Sequence, residues 1–121
     1  MSSSKLYHYR AKVDRVVDGD TIDATLDLGF DIHLNVRIRF AGINAPESRT
    51  KDLVEKQKGL EAKRFVEDWL NHCEKVIVQT TLDKKGKFGR VLGNILNQDG
   101  SCLNEEMVVL GHATPYEGGK R

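Results

Sequence analysis

Alternation of apolar and polar positions dominates the first third of the chain. Ile22, Ala24, Leu26 and Leu28 alternate with Thr21, Asp23, Thr25 and Asp27, the period of a strand with one buried face. Val36, Ile38 and Phe40 share the next such face while Arg37 and Arg39 share the opposite one, so both guanidinium groups leave the core. A run over residues 11–17 predicts a strand before these two. Asp18-Gly19 then predicts a two-residue hairpin with both central residues at positive φ. The third strand is expected to end near Gly42.

Further on the period lengthens. Ala62, Phe65, Val66, Trp69 and Leu70 follow the i, i+3, i+4, i+7, i+8 spacing of one apolar stripe, which predicts a helix from about Leu53 to Leu70 with Trp69 in the core. Val76-Ile77-Val78 and Val91 to Leu96 read as two more strands, with a turn over Asn97 to Gly100. Ser101 is placed to cap a short helix with Leu103, Met107 and Leu110 facing inward and Gly111 ending it. Three strands, a helix, two strands and a helix predict a mainly β member of the α+β class, a five-stranded OB-type barrel with flanking helices. A fold of this kind hosts many activities, so function has to come from the side chains.

Composition narrows the picture in a few places. The 121 residues fit one domain, 1–121, with its core over about 7–116. Lys and Arg number 19 against 18 Asp and Glu, so bulk charge gives no sign of a polyanion partner and any phosphate attraction must be local. Cys73 and Cys102 have no zinc or CxxC spacing, and the four histidines have no HxxxH spacing; reduced, packed cysteines are expected. Met1 to Lys5 leads into charged and aromatic residues rather than an apolar stretch, which places the chain in the cytoplasm as an expectation.

Polar residues gather at the ends of the apolar runs, where loops carry chemistry. Asp20 follows the hairpin and can reach the mouth of the barrel, although Asp-Gly-Asp-Thr also satisfies turn chemistry alone. Glu47 follows Pro46, whose ring fixes the local backbone; its bland alternative is a solvated loop acid. Arg39 and Arg90 stand at strand ends, where guanidinium groups either fork onto phosphate oxygens or serve as surface cations. Lys84, Lys85 and Lys87 either steer phosphate or solvate a turn. A carboxylate for a hard cation, a second able to act as base and two arginines are what phosphodiester cleavage requires.

VVDGDT, RIRFAGINAPE, KFGR and LNEEMVVLGHA, running from about Val13 to Tyr116, resemble the staphylococcal nuclease (thermonuclease) family. The resemblance implies a calcium-dependent phosphodiesterase cutting DNA and RNA with little sequence preference, preferably single-stranded or flexible, and leaving 3′-phosphates. It assigns Asp20, Asn44 and the backbone carbonyl of Ala45 to the metal, and Arg39, Glu47 and Arg90 to catalysis. Lys87, Phe88 and Tyr116 fall to the substrate, and the chain is expected to act as a monomer. Asn44 departs from the aspartate common there and removes one charge from the ligand set, which opens the site to other divalent ions. The alternative is a weak or inactive module of the same fold that binds nucleic acid or protein.

Overall fold

Most of the alternating segments form strands somewhat longer than their patterns, whereas the one from Thr21 to Leu28 stops at Asp27. The computed structural model describes residues 7–48, 50–81 and 90–116. Along the chain these form β1 (His8–Asp18), β2 (Thr21–Asp27), β3 (His33–Phe40), β4 (Ile43–Asn44), α1 (Leu53–Asn71), β5 (Val76–Thr81), β6 (Arg90–Leu96), α2 (Leu103–Val109) and β7 (Thr114–Pro115). Five strands close a mixed barrel in the order β1-β2-β3-β6-β5, with β3 and β6 parallel and the other pairs antiparallel. This is the five-stranded OB-type architecture, with two helices against it. No helix among the described residues is long and apolar enough to cross a membrane.

Alternation sends Ile22, Ala24 and Leu26 of β2, Ile38 and Phe40 of β3, Val78 of β5 and Ile95 of β6 into one core. Ala62 and Val66 of α1 and Leu103 and Met107 of α2 close it, with Trp69 partly buried against its edge. Gly93 keeps the interior open: a Cβ there would stand 2.8 Å from Val78 Cγ1. Asn104 is the one strongly polar side chain sealed inside among the described residues besides Ser48. It accepts from Ile95 N and donates to the carbonyls of Ala41 and Gly93, so β6, α2 and the end of β3 are tied at one point.

Four details depart from the pattern. The two-residue turn is Gly19-Asp20, since Asp18 pairs with Thr21, and none of Asp18, Gly19 and Asp20 has positive φ. Glycine is required there for space: a Cβ at Gly19 would lie 2.8 Å from Ala62 Cβ and 3.1 Å from Ala45 Cβ. Leu28 continues the apolar alternation but is 37% exposed, because the β2–β3 hairpin runs past the end of the barrel. In α2 the cap is Cys102, without a side-chain bond, in place of Ser101, and Leu110 is 58% exposed because it follows the last helical turn. Gly111 does end the helix, with φ +83°. Both cysteines are free, and burial raises both thiol pKa values.

Candidate active site

The mouth of the barrel is built where β2 starts and β3 ends. Thr21 and Arg39 are partners in the β2–β3 ladder, which brings the turn residue Asp20 beside the last residues of β3. The Phe40 amide donates to the Asp20 carbonyl at 2.8 Å and pins the turn's backbone. The Asp20 side chain accepts from Thr21 Oγ1 at 3.0 Å and from the Ala45 amide at 2.9 Å. Turn chemistry and site chemistry are thus separate: the carboxylate reaches across the sheet end to the segment after β3.

Gly42, with φ +77°, turns the chain sharply after β3. The two residues of β4 then pair with β7, Ile43 with Pro115 and Asn44 with Thr114. The Tyr116 amide extends this ribbon by donating to the Gly42 carbonyl at 2.8 Å. Arg39 lies under the ribbon. Its Nη1 donates to the carbonyls of Ile43 at 3.0 Å and Phe40 at 3.3 Å, and stands 3.3 Å from Asp20 Oδ2; its Nη2 donates to Asn44 Oδ1 at 3.3 Å. Arg39 Cζ is 5.7 Å from the centre of the Tyr116 ring, within cation–π range. The Arg39 and Asp20 side chains are only 14% and 13% exposed.

Asp20, Arg39, Asn44, Ala45 and Tyr116 therefore converge. Glu47 is three residues beyond Asn44 on an exposed stretch, and its carboxylate makes none of these bonds. Its backbone, by contrast, is held from several sides. The Glu47 amide donates to Glu55 Oε2 at 3.3 Å, and Ser48 Oγ donates to Asp18 Oδ1, which joins this segment to the β1–β2 turn. Gly59 of α1 meets it from below: a Cβ there would stand 2.3 Å from the Glu47 carbonyl oxygen and 2.7 Å from the Ser48 nitrogen. Asp52 caps α1 through the Val54 and Glu55 amides, which fixes the helix start that carries this contact.

Arg90 opens β6, with its Cα opposite Arg37 and two pairs along the ladder from Arg39, which faces Leu92. Lys87 and Phe88 lie outside the described residues, as do Lys84 and Lys85. Sequence reading passes over Ser48 and Gly59 and takes Gly19 for its turn alone, not for its close approach to Ala62 and Ala45. Gly59 does carry a signal, since a glycine inside a helical stripe costs about 1 kcal/mol relative to alanine and is kept where a close approach needs it.

Among the described residues no three acidic, histidine or cysteine side chains gather as a metal cluster. The oxygens of Asp20 and Asn44 share a neighbourhood, each 3.3 Å from the Arg39 guanidinium. Both are oxygen donors, the type a hard divalent cation takes, with a single formal negative charge between them, and here both face the Arg39 guanidinium.

Comparison with known proteins supplies the family. Residues 37–121 match the family described as staphylococcal nuclease homologue. The chain is 34% identical over 113 residues to endonuclease YhcR of Bacillus subtilis, covering 89% of this chain and 9% of that protein. It is 32% identical over 109 residues to an uncharacterized endonuclease of Escherichia coli, covering 88% of this chain and 60% of that one. An uncharacterized protein of Methanocaldococcus jannaschii is 31% identical over 131 residues, again spanned for 60% of its length. The chain belongs to the staphylococcal nuclease homologue family.

Proposed function

From that membership we infer that the chain is a divalent-cation-dependent nuclease hydrolysing phosphodiester bonds of DNA and RNA, with little base preference and 3′-phosphate products. The observation that carries this reading is the convergence of Asp20, Arg39, Asn44 and Ala45 at one mouth of the barrel. Asp20, Asn44 and the Ala45 carbonyl would hold calcium, which when bound supplies a positive centre for a phosphate oxygen.

Arg39 is cross-tied to four acceptors, so its charge is fixed before substrate arrives and little reorganisation is needed as charge builds on the phosphate. Arg90 would add a second guanidinium from the neighbouring strand. Glu47, exposed on a backbone pinned by Gly59 and Ser48, would take the proton of the attacking water as the 5′-oxygen leaves. The substrate is single-stranded or flexible, because the scissile phosphate must descend to a site framed by β4, β7 and α1. Tyr116 offers a face beside Arg39 for the adjoining sugar or base.

Asn44 favours a second reading, a module of the same fold that binds without turnover, because it leaves a single carboxylate among the donors. Cleavage of labelled single-stranded DNA across a calcium titration, with magnesium, manganese and EDTA in parallel, separates the two. Calcium-dependent cutting that falls by about 10²–10⁴-fold in Glu47→Gln supports the nuclease. Retained DNA binding with no cutting in any metal supports the binding module.

A further inference from the structure

A second cationic row crosses the outer face of the barrel next to the mouth. Arg15 pairs with Asp23 in the β1–β2 ladder, Asp23 with Arg37 in the β2–β3 ladder, and Arg37 with Arg90 in the β3–β6 ladder. Arg37 donates to Asp23 through Nε at 2.8 Å and Nη2 at 3.2 Å, while Arg15 Nε stands 4.0 Å from the same carboxylate. One carboxylate thus sits between two guanidinium groups, so these three side chains carry one net positive charge, with Asp18 also within electrostatic reach of Arg37. None of the three is packed away: the side chains of Arg15, Arg37 and Asp23 are 62%, 48% and 31% exposed.

We propose that Arg37, supported by Arg15, is a second phosphate subsite, taking the phosphate of the same nucleic-acid strand that neighbours the one at Arg39. The proposal rests on the nuclease reading above for the identity of the strand. Arg37 and Arg39 leave the same face of β3 two residues apart, about 7 Å at the rise of an antiparallel strand, a step comparable with that between phosphates on an extended single strand. Asp23 engages the Nε–Nη2 edge of Arg37 and sets the plane of the guanidinium, which leaves the Nη1 group outside that contact as a donor for a phosphate oxygen. An exposed ion pair alone adds little to stability, so the fold has small need of this arrangement. Its other role is to hold the arginine in one orientation and lower the entropy lost when an anion binds.

The test uses two substrates and one binding measurement. On oligothymidylate of eight residues, Arg37→Ala raises KM about tenfold with kcat within about twofold, because it loses a phosphate contact remote from the chemistry. On a nitrophenyl phosphodiester of thymidine, which has no neighbouring phosphate, the same variant matches the wild type. Binding of the oligonucleotide in EDTA loses about 0.7 from the slope of log affinity against log salt, one single-strand phosphate contact. Arg37→Lys restores that slope, and thermal melts of both variants monitor the fold. Equal losses of kcat on both substrates, or an unchanged salt slope, overturn the subsite. If the wild-type chain cleaves neither substrate, the nuclease reading fails, while the salt slope still decides whether Arg37 holds a phosphate.

Discussion

Arg37 and Arg39 leave the same face of β3 and each meets an aspartate, yet the two pairs differ in almost every other respect. Arg37 and Asp23 form the shorter contact, 2.8 Å, at side chains 48% and 31% exposed. Arg39 and Asp20 are 3.3 Å apart at side chains 14% and 13% exposed, among two backbone carbonyls, an asparagine and a tyrosine ring. Bond length ranks them one way and consequence ranks them the other. Water competes for the exposed pair and leaves little net gain, whereas the enclosed guanidinium has lost its hydration and depends on every acceptor around it. The outer pair can be remade by solvent; the inner one has no such substitute.

Removing the inner cation is the harshest test of this contrast. Arg39→Ala should lower cleavage by about 10³-fold, read from initial rates at saturating DNA, since a preorganised donor aimed at developing charge is lost. It should also lower unfolding free energy by about 3 kcal/mol in urea, because Asp20 is left enclosed and unpaired. Gly59→Ala tests the support beneath the mouth. In an open helix alanine stabilises by about 1 kcal/mol. Here its Cβ would fall 2.3 Å from the Glu47 carbonyl oxygen, so the sign should reverse to a loss of about 1–3 kcal/mol, with kcat down about 10²-fold as Glu47 shifts. Unchanged kcat would remove Gly59 from the positioning of that segment.

Asn44→Asp sharpens the comparison by adding charge to the inner site alone. The calcium midpoint for cleavage should fall about tenfold, as ligand charge count sets affinity in oxygen sites. The smallest effect belongs to the outer pair. Arg37 holds the Asp23 carboxyl below its ordinary value of 3.8, so the ionised form is favoured in the folded chain. A depressed folded pKa contributes stability that is present above the unfolded value and lost as pH falls through the folded one. The difference in Tm between wild type and Asp23→Asn should therefore be small and constant at neutral pH, and fade below pH 3.8. A Tm difference that persists in strong acid would assign it to packing instead.

Much of the barrel was legible because its strands are long enough for alternation to repeat. β2 buries every second residue and β3 does so over the end of its pattern, at Ile38 and Phe40, and the α1 stripe brings Ala62 and Val66 to the core as its spacing requires. Pattern failed where length or geometry lay below its resolution. The β4–β7 ribbon has two residues a side, too few to show a period. Leu28 and Leu34 keep the apolar alternation past the rim, where no opposite wall remains to cover them. The β2–β3 turn places Phe30 and Asp31 at positive φ, a conformation that phenylalanine gives no reason to expect. At the mouth, the motif residues Asp20, Arg39 and Asn44 were identified by type and position, but their mutual bonds depend on contacts between distant segments. Gly19 shows the limit most clearly: its place in Asp18-Gly19 marks a turn former, and it serves to let a loop lie against a helix.

The β4–β7 ribbon also orders events in time. Asn44 and Thr114 are 70 positions apart, and the Thr114 hydroxyl and Tyr116 amide close the frame over Arg39 from the far side of the sequence. Every strand of the barrel precedes Thr114 and Tyr116 in the chain, so the segment that roofs the mouth is the last part of the described fold to be added. A chain ending at residue 100 would carry the aspartate and the arginine, already placed side by side by the β2–β3 ladder, but not the strand that closes over them.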